Sequence, residues 1–227
     1  MELSVRVAVL VDGGFFLKRY VALNKHKKTF DRFDYKKTAT DIHKAANAHV
    51  KKGDELYRVF FYDCPPLTKK TQNPISQKAV DFSKSDTYAF RCGLFEELKK
   101  KRKVALRLGE LRDGLRWTFT PDTGDRLLKN KMTHADLDEN SVFYDVHQKG
   151  VDIKIGIDIT TLAYKQLVQQ IVLISGDSDF VPAAKLARRE GIDFILDPMW
   201  NPVSPALYEH IDGLNSTSPK PPKKPSP

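Results

Sequence analysis

The stretch Arg6-Val7-Ala8-Val9-Leu10-Val11-Asp12-Gly13-Gly14 decides the fold. From Arg6 to Val11 the run is β-branched and apolar with no alternation, as expected of a parallel strand covered on both faces. It stops at an acid followed by two glycines, which predicts a tight turn into a helix over Phe15 to Leu23. Further along, Leu56 to Tyr62, Ile171 to Ile174 and Ile192 to Leu196 read as strands. Helical spacing is present over Thr38 to Val50, Ala79 to Lys101, Val151 to Gln166 (through Ile153, Ile157, Thr161 and Tyr164) and Phe180 to Arg189. Strands alternating with helices imply an α/β fold, a mostly parallel sheet between two helical layers.

The middle, Cys64 to Tyr144, is less regular. Val104 to Leu108 and Leu115 to Thr120 flank Arg112-Asp113-Gly114, predicting a β-hairpin beside the main sheet. The expected organisation is one domain over residues 1–215, with an insertion at about 64–145, and a Pro/Lys-rich tail at 216–227. That tail holds five of the 13 prolines and three lysines, with no large apolar side chain to dock on a core.

At 227 residues, 41% hydrophobic and 30% charged, the chain is long enough to bury a substantial core without disulfides. Its two cysteines, Cys64 and Cys92, form no CxxC pair, which argues against a zinc site and fits a reducing cytoplasm. Val5 to Val11 is too short to span a bilayer and lacks a signal-peptide cleavage pattern, so neither membrane insertion nor export is expected.

Lysine and arginine number 38 against 29 acids, a formal net charge of +9. The bases come in runs, Lys99, Lys100, Lys101, Arg102 and Lys103 the longest among them. Such runs suit a polyanion, because each phosphate neutralised releases a counterion. Taken singly, each run is more often a solvated helix end.

In an open α/β sheet, ligands bind beyond the carboxyl ends of the strands. Asp12 follows the first strand, and Asp177 with Asp179 follows the strand Ile171 to Ile174, so the topology brings these acids together. Lys149-Gly150-Val151-Asp152, with Asp158 beyond it, opens the preceding helix. Carboxylates crowded without arginines repel one another unless a cation neutralises them, and oxygen ligands select a hard ion such as Mg²⁺ or Mn²⁺. Asp152 and Asp179 each have a plainer reading as helix N-caps. Asp158 lies about 240° around an ideal helix from Asp152, which ranks it lower as a ligand. Asp12 has no capping duty that glycine could not also meet. Lys149 or Lys154 is expected to help hold a phosphate.

Three motifs in order carry a resemblance: Val9-Leu10-Val11-Asp12-Gly13-Gly14-Phe15; Lys149-Gly150-Val151-Asp152 with Asp158; and Ser175-Gly176-Asp177-Ser178-Asp179-Phe180. Over Val5 to Leu196 the chain resembles the NYN domain of the PIN-like nuclease superfamily, in its bacterial LabA-like branch. The resemblance implies a Rossmann-like α/β/α sandwich and a ribonuclease whose Asp12, Asp152, Asp177 and Asp179, with Asp158 as a further metal candidate, bind Mg²⁺ or Mn²⁺. RNA is the implied partner, single-stranded DNA a second substrate class, and self-association stays open. Gly14 and Phe15 stand where many relatives carry a polar Asn nearby. A haloacid dehalogenase-like phosphatase is the weaker alternative, since Gly14 occupies the place of its second acid. A non-catalytic RNA-binding protein of the same fold is the other.

Overall fold

The unbroken apolar run forms β1 (Arg6–Asp12), in which Val7 through Val11 are fully buried. It leads into α1 (Gly13–Asn24), α2 (Tyr35–Asn47) and β2 (Glu55–Asp63). The structure, a computed structural model, describes residues 4–111 and 116–221. The segment between β2 and the next long helix supplies β3 (Lys70–Gln72), β4 (Ala79–Asp81), α3 (Asp86–Lys99), β5 (Val104–Leu108), β6 (Glu110–Leu111), β7 (Arg116–Phe119), α4 (Pro121–Leu128), β8 (Val142–Asp145) and β9 (Gln148–Lys149). The chain continues through α5 (Val151–Tyr164), β10 (Gln170–Ile174), α6 (Val181–Arg189), β11 (Asp193–Asp197), α7 (Pro205–Tyr208) and β12 (Gly213–Leu214).

Six strands make one parallel sheet in the order β12-β11-β10-β1-β2-β5. Alternate residues of β1 serve the two faces. Ala8 and Leu10 pack with Ile155, Ile159 and Ala184 from α5 and α6. Val7, Val9 and Val11 pack with Phe16, Ile42 and Leu94 from α1, α2 and α3. The expected α/β/α sandwich is the result. β1 lies inside the sheet, and the chain builds outward from it through β2 to β5 before returning to β10 on the other flank. That reversal puts a topological switch point between β1 and β10, where open α/β sheets place their ligand crevice. No described helix is long and apolar enough to cross a membrane.

Several expectations need correction. Val104 to Leu108 does not pair in a hairpin with the strand after it: as β5 it runs parallel to β2 at the sheet edge, while β7 pairs antiparallel with β8. The insertion's hairpin is instead β3 with β4, and the Arg112-Asp113-Gly114 turn lies outside the described residues. The helix expected from Ala79 begins only after Ser85, whose Oγ accepts a bond from Tyr88 N at 3.2 Å and caps it.

Beyond Asn215 the chain still bonds to the domain. Thr217 N donates to Asp197 Oδ2 at 3.2 Å, Thr217 Oγ1 donates to the Ala45 carbonyl at 3.2 Å, and Trp200 Nε1 donates to the Ser218 carbonyl at 2.8 Å. Residues 216–218 are thus tied to the domain by polar anchors, which a search for apolar side chains does not find. Residues 219–221 are also described, with Lys220 Nζ 5.5 Å over the Trp200 ring, and 222–227 lie outside the described residues.

Candidate active site

Asp12 ends β1 and is the N-cap of α1: its Oδ1 accepts from Phe15 N at 3.0 Å. It therefore does have a capping duty. Its Oδ2 accepts from the Ser175 hydroxyl at 3.1 Å, which ties the end of β1 to the loop after β10 across the switch point. On the other side of β1, Gly13 permits close approach to β2, because a Cβ there would stand 2.5 Å from the Tyr62 carbonyl oxygen.

Beyond Ser175, Asp177 caps a short 3₁₀ turn over Ser178–Phe180 by accepting from Asp179 N at 3.0 Å. The N-cap of α6 is Phe180, so Asp179 does not cap that helix. Asp152 does not cap α5 either. Gly150 takes that place in the left-handed conformation, at φ 80°, and Asp152 sits in the first helical turn. Asp152 and Asp179 line one open cavity of about 410 Å³ between α5 and α6.

Electrostatics links the four acids. The Asp12 carboxyl titrates above its ordinary value, first through burial and then through repulsion by Asp152 and Asp63, against the opposing bonds from Phe15 N and Ser175. Asp152 is also raised, first by burial and then by Asp177 and Asp179. The groups acting on Asp152 are burial and other carboxylates. The donor set is oxygen only, as a hard cation requires. Among the described residues, no three His, Cys, Asp or Glu side chains stand close enough to enclose an ion as placed. The arrangement suits an ion that keeps several waters and takes one or two carboxylates, not a closed cage.

The structure gathers only part of the expected set. Asp158 is engaged elsewhere, accepting from Tyr62 Oη at 2.8 Å and pairing with Arg107 Nε at 3.0 Å. Burial and the Asp158 charge push the Tyr62 phenol strongly upward, so it stays a donor to that carboxylate. Lys154 lines the cavity beside Arg107 and Asp158, and Lys149 is exposed in β9 just before Gly150. The run Lys99, Lys100, Lys101, Arg102 and Lys103 is not brought to the acids. It precedes β5, and Lys103 Nζ meets Glu55 Oε1 at 3.3 Å at the start of β2, so it lies at the amino edge of the sheet, opposite Asp12. Lys99 and Lys100 are paired with Glu96 and Glu97.

Four further residues belong to the site's frame. Ser175 lies inside a motif legible in the sequence. Asp63, fully buried at the end of β2, has its Oδ1 bonded by Arg91, by Gln148 Nε2 at 3.2 Å and by Cys64 N at 2.8 Å. Asp63 stands at a strand end, which is visible in the sequence; Arg91 and Gln148 carry no such signal, lying in the irregular segment between β2 and α5.

The NYN domain family model matches residues 126–201. The NYN match takes in Asp152, Asp158, Asp177 and Asp179 and leaves β1 with Asp12 outside it. No curated protein matches the chain. Among solved structures, the chain is similar to a protein of unknown function from Vibrio parahaemolyticus, at 14% identity over 96% of each chain with a TM-score of 0.47.

Proposed function

We propose that the protein is a metal-dependent ribonuclease, with Asp12, Asp152, Asp177 and Asp179 holding Mg²⁺ or Mn²⁺. One observation carries the reading: at the switch point Asp12 and Asp152 are both raised, first by burial and then by acids, Asp152 acting on Asp12 and Asp177 with Asp179 acting on Asp152. The NYN match over the later motifs supports it. Asp158 is left out of the ligand set because Arg107 and Tyr62 occupy it.

A divalent ion bound there supplies a more acidic water and stabilises charge on a phosphate undergoing in-line displacement. The chain's part is orientation. Phe15 N and the Ser175 hydroxyl hold the two oxygens of Asp12 in place, each oxygen keeping a lone pair for a further ligand. The Asp177 cap fixes the turn that carries Asp179.

The test is a substrate panel: single-stranded RNA, DNA of the same sequence and p-nitrophenyl phosphate, each with Mn²⁺ and with chelator. RNA cleavage confined to the metal arm is expected, with no turnover of the phosphomonoester. RNA binding that is equal with and without metal and never followed by cleavage would favour a binding protein instead.

A further inference from the structure

A cleft of about 250 Å³ lies between α1 and α3 beside Gly14, lined by Lys18, Arg32, Phe33, Phe90 and Arg91 among others. None of its lining residues is acidic. A Cβ on Gly14 would stand 3.6 Å from Asp12 Oδ1, so the cleft begins at the edge of the acid site. Phe33 and Phe90 meet edge to face with centroids 6.2 Å apart, and the Arg32 guanidinium lies 4.8 Å over the Phe33 ring. Arg91 is anchored from below by the buried Asp63, whose second oxygen, Oδ2, has no partner among the described residues.

Burying a carboxylate and tying an arginine to it is costly, and replacing both with apolar groups is often neutral or better. The pair has another use here. With one guanidinium nitrogen held by Asp63, Arg91 keeps a partly exposed side chain with further N–H donors at the junction of this cleft and a second cavity of about 400 Å³. A pre-oriented guanidinium with free donors matches a phosphate. Two phenylalanine rings with basic neighbours match a nucleobase and its backbone. The volume falls below the roughly 300–1,000 Å³ of sites that engulf a whole drug-sized ligand, and so fits one unit of a longer chain.

We propose that this cleft receives one unpaired nucleotide of an RNA strand next to the bond cut at Asp12, its base against Phe33 and Phe90 and its phosphate on Arg91, with Lys18 and Arg32 flanking. The inference rests on the nuclease reading and adds a substrate class to it. The strand must be single, because a base held in a duplex stack cannot enter.

Binding is read separately from cleavage, by fluorescence anisotropy with full-length Asp12→Asn protein in Mg²⁺ buffer. The probes are a labelled single-stranded RNA and the same strand annealed to its complement. Single-stranded RNA binds more tightly than the duplex. Phe90→Ala weakens it about tenfold. Lys18→Gln with Arg32→Gln, both at exposed positions, weakens it and lowers the log-log salt slope by about 0.7 for each phosphate that is no longer neutralised. Arg91→Gln is measured alongside, with a melting curve to show that it is folded; the exposed pair carries the test if it is not. Unchanged affinity in the Phe90 and Lys18/Arg32 variants, no RNA binding at all, or equal binding of duplex would overturn the cleft assignment. Failure of wild-type protein to cleave would count against the nuclease reading alone.

Discussion

At Asp12 three demands fall on one carboxylate: it caps α1, it bonds Ser175, and it is half-buried beside other acids. The folded protein holds the Asp12 proton more tightly than the unfolded chain does, so without metal this residue lowers stability as pH rises from the ordinary carboxylate range through its raised value. Asp12→Asn keeps a capping oxygen and removes the charge. Its melting temperature near neutral pH, measured by differential scanning fluorimetry in chelator, equals or exceeds that of the wild type, and the difference closes as pH falls through that window. The melting-temperature rise that Mn²⁺ gives the wild type is lost in the variant. A variant that melts well below the wild type in chelator would mean that the charge stabilises the fold. Asp12 was visible in the sequence from its place at the end of an apolar run. Its cap was not, because Gly13 and Gly14 give no local sign of which atom accepts the Phe15 N–H.

Helix α5 shows why element faces are harder to read than elements. Its existence follows from the sequence, but Ile153, Ile157 and Tyr164, which the spacing singles out, are 67%, 57% and 57% exposed, while Ile155 and Ile159 are fully buried. The helix is apolar nearly all round, so periodicity alone cannot choose its inner face. Ile155→Ala therefore destabilises by about 2–5 kcal/mol, while Ile153→Ala stays within about 0.5 kcal/mol. Urea unfolding of the two variants checks this, and equal losses would put the wrong face against the sheet. The β7–β8 pairing escaped the sequence because its strands are separated by α4 and a long connection. Likewise β12 has only two residues, too few for a pattern.

Over the whole molecule, the βα alternation made the parallel sheet legible, and with it the edge where Asp12 and Asp177 gather. What the sequence alone could not give is which charges share that edge. A positive balance of +9 says that polyanions are attracted, but not where. The longest basic run sits at the amino edge, while Lys18, Arg32 and Arg91, outside that run in the sequence, line the cleft beside Gly14. The central claim is that acids separated by most of the chain act as one metal site. The most direct measurement is Mn²⁺-dependent cleavage of single-stranded RNA by the wild type, Asp12→Asn and Asp177→Asn proteins side by side. The wild type cleaves only with metal, and each variant, still folded, loses at least about a hundredfold in rate. Cleavage at the wild-type rate by either variant would contradict the account.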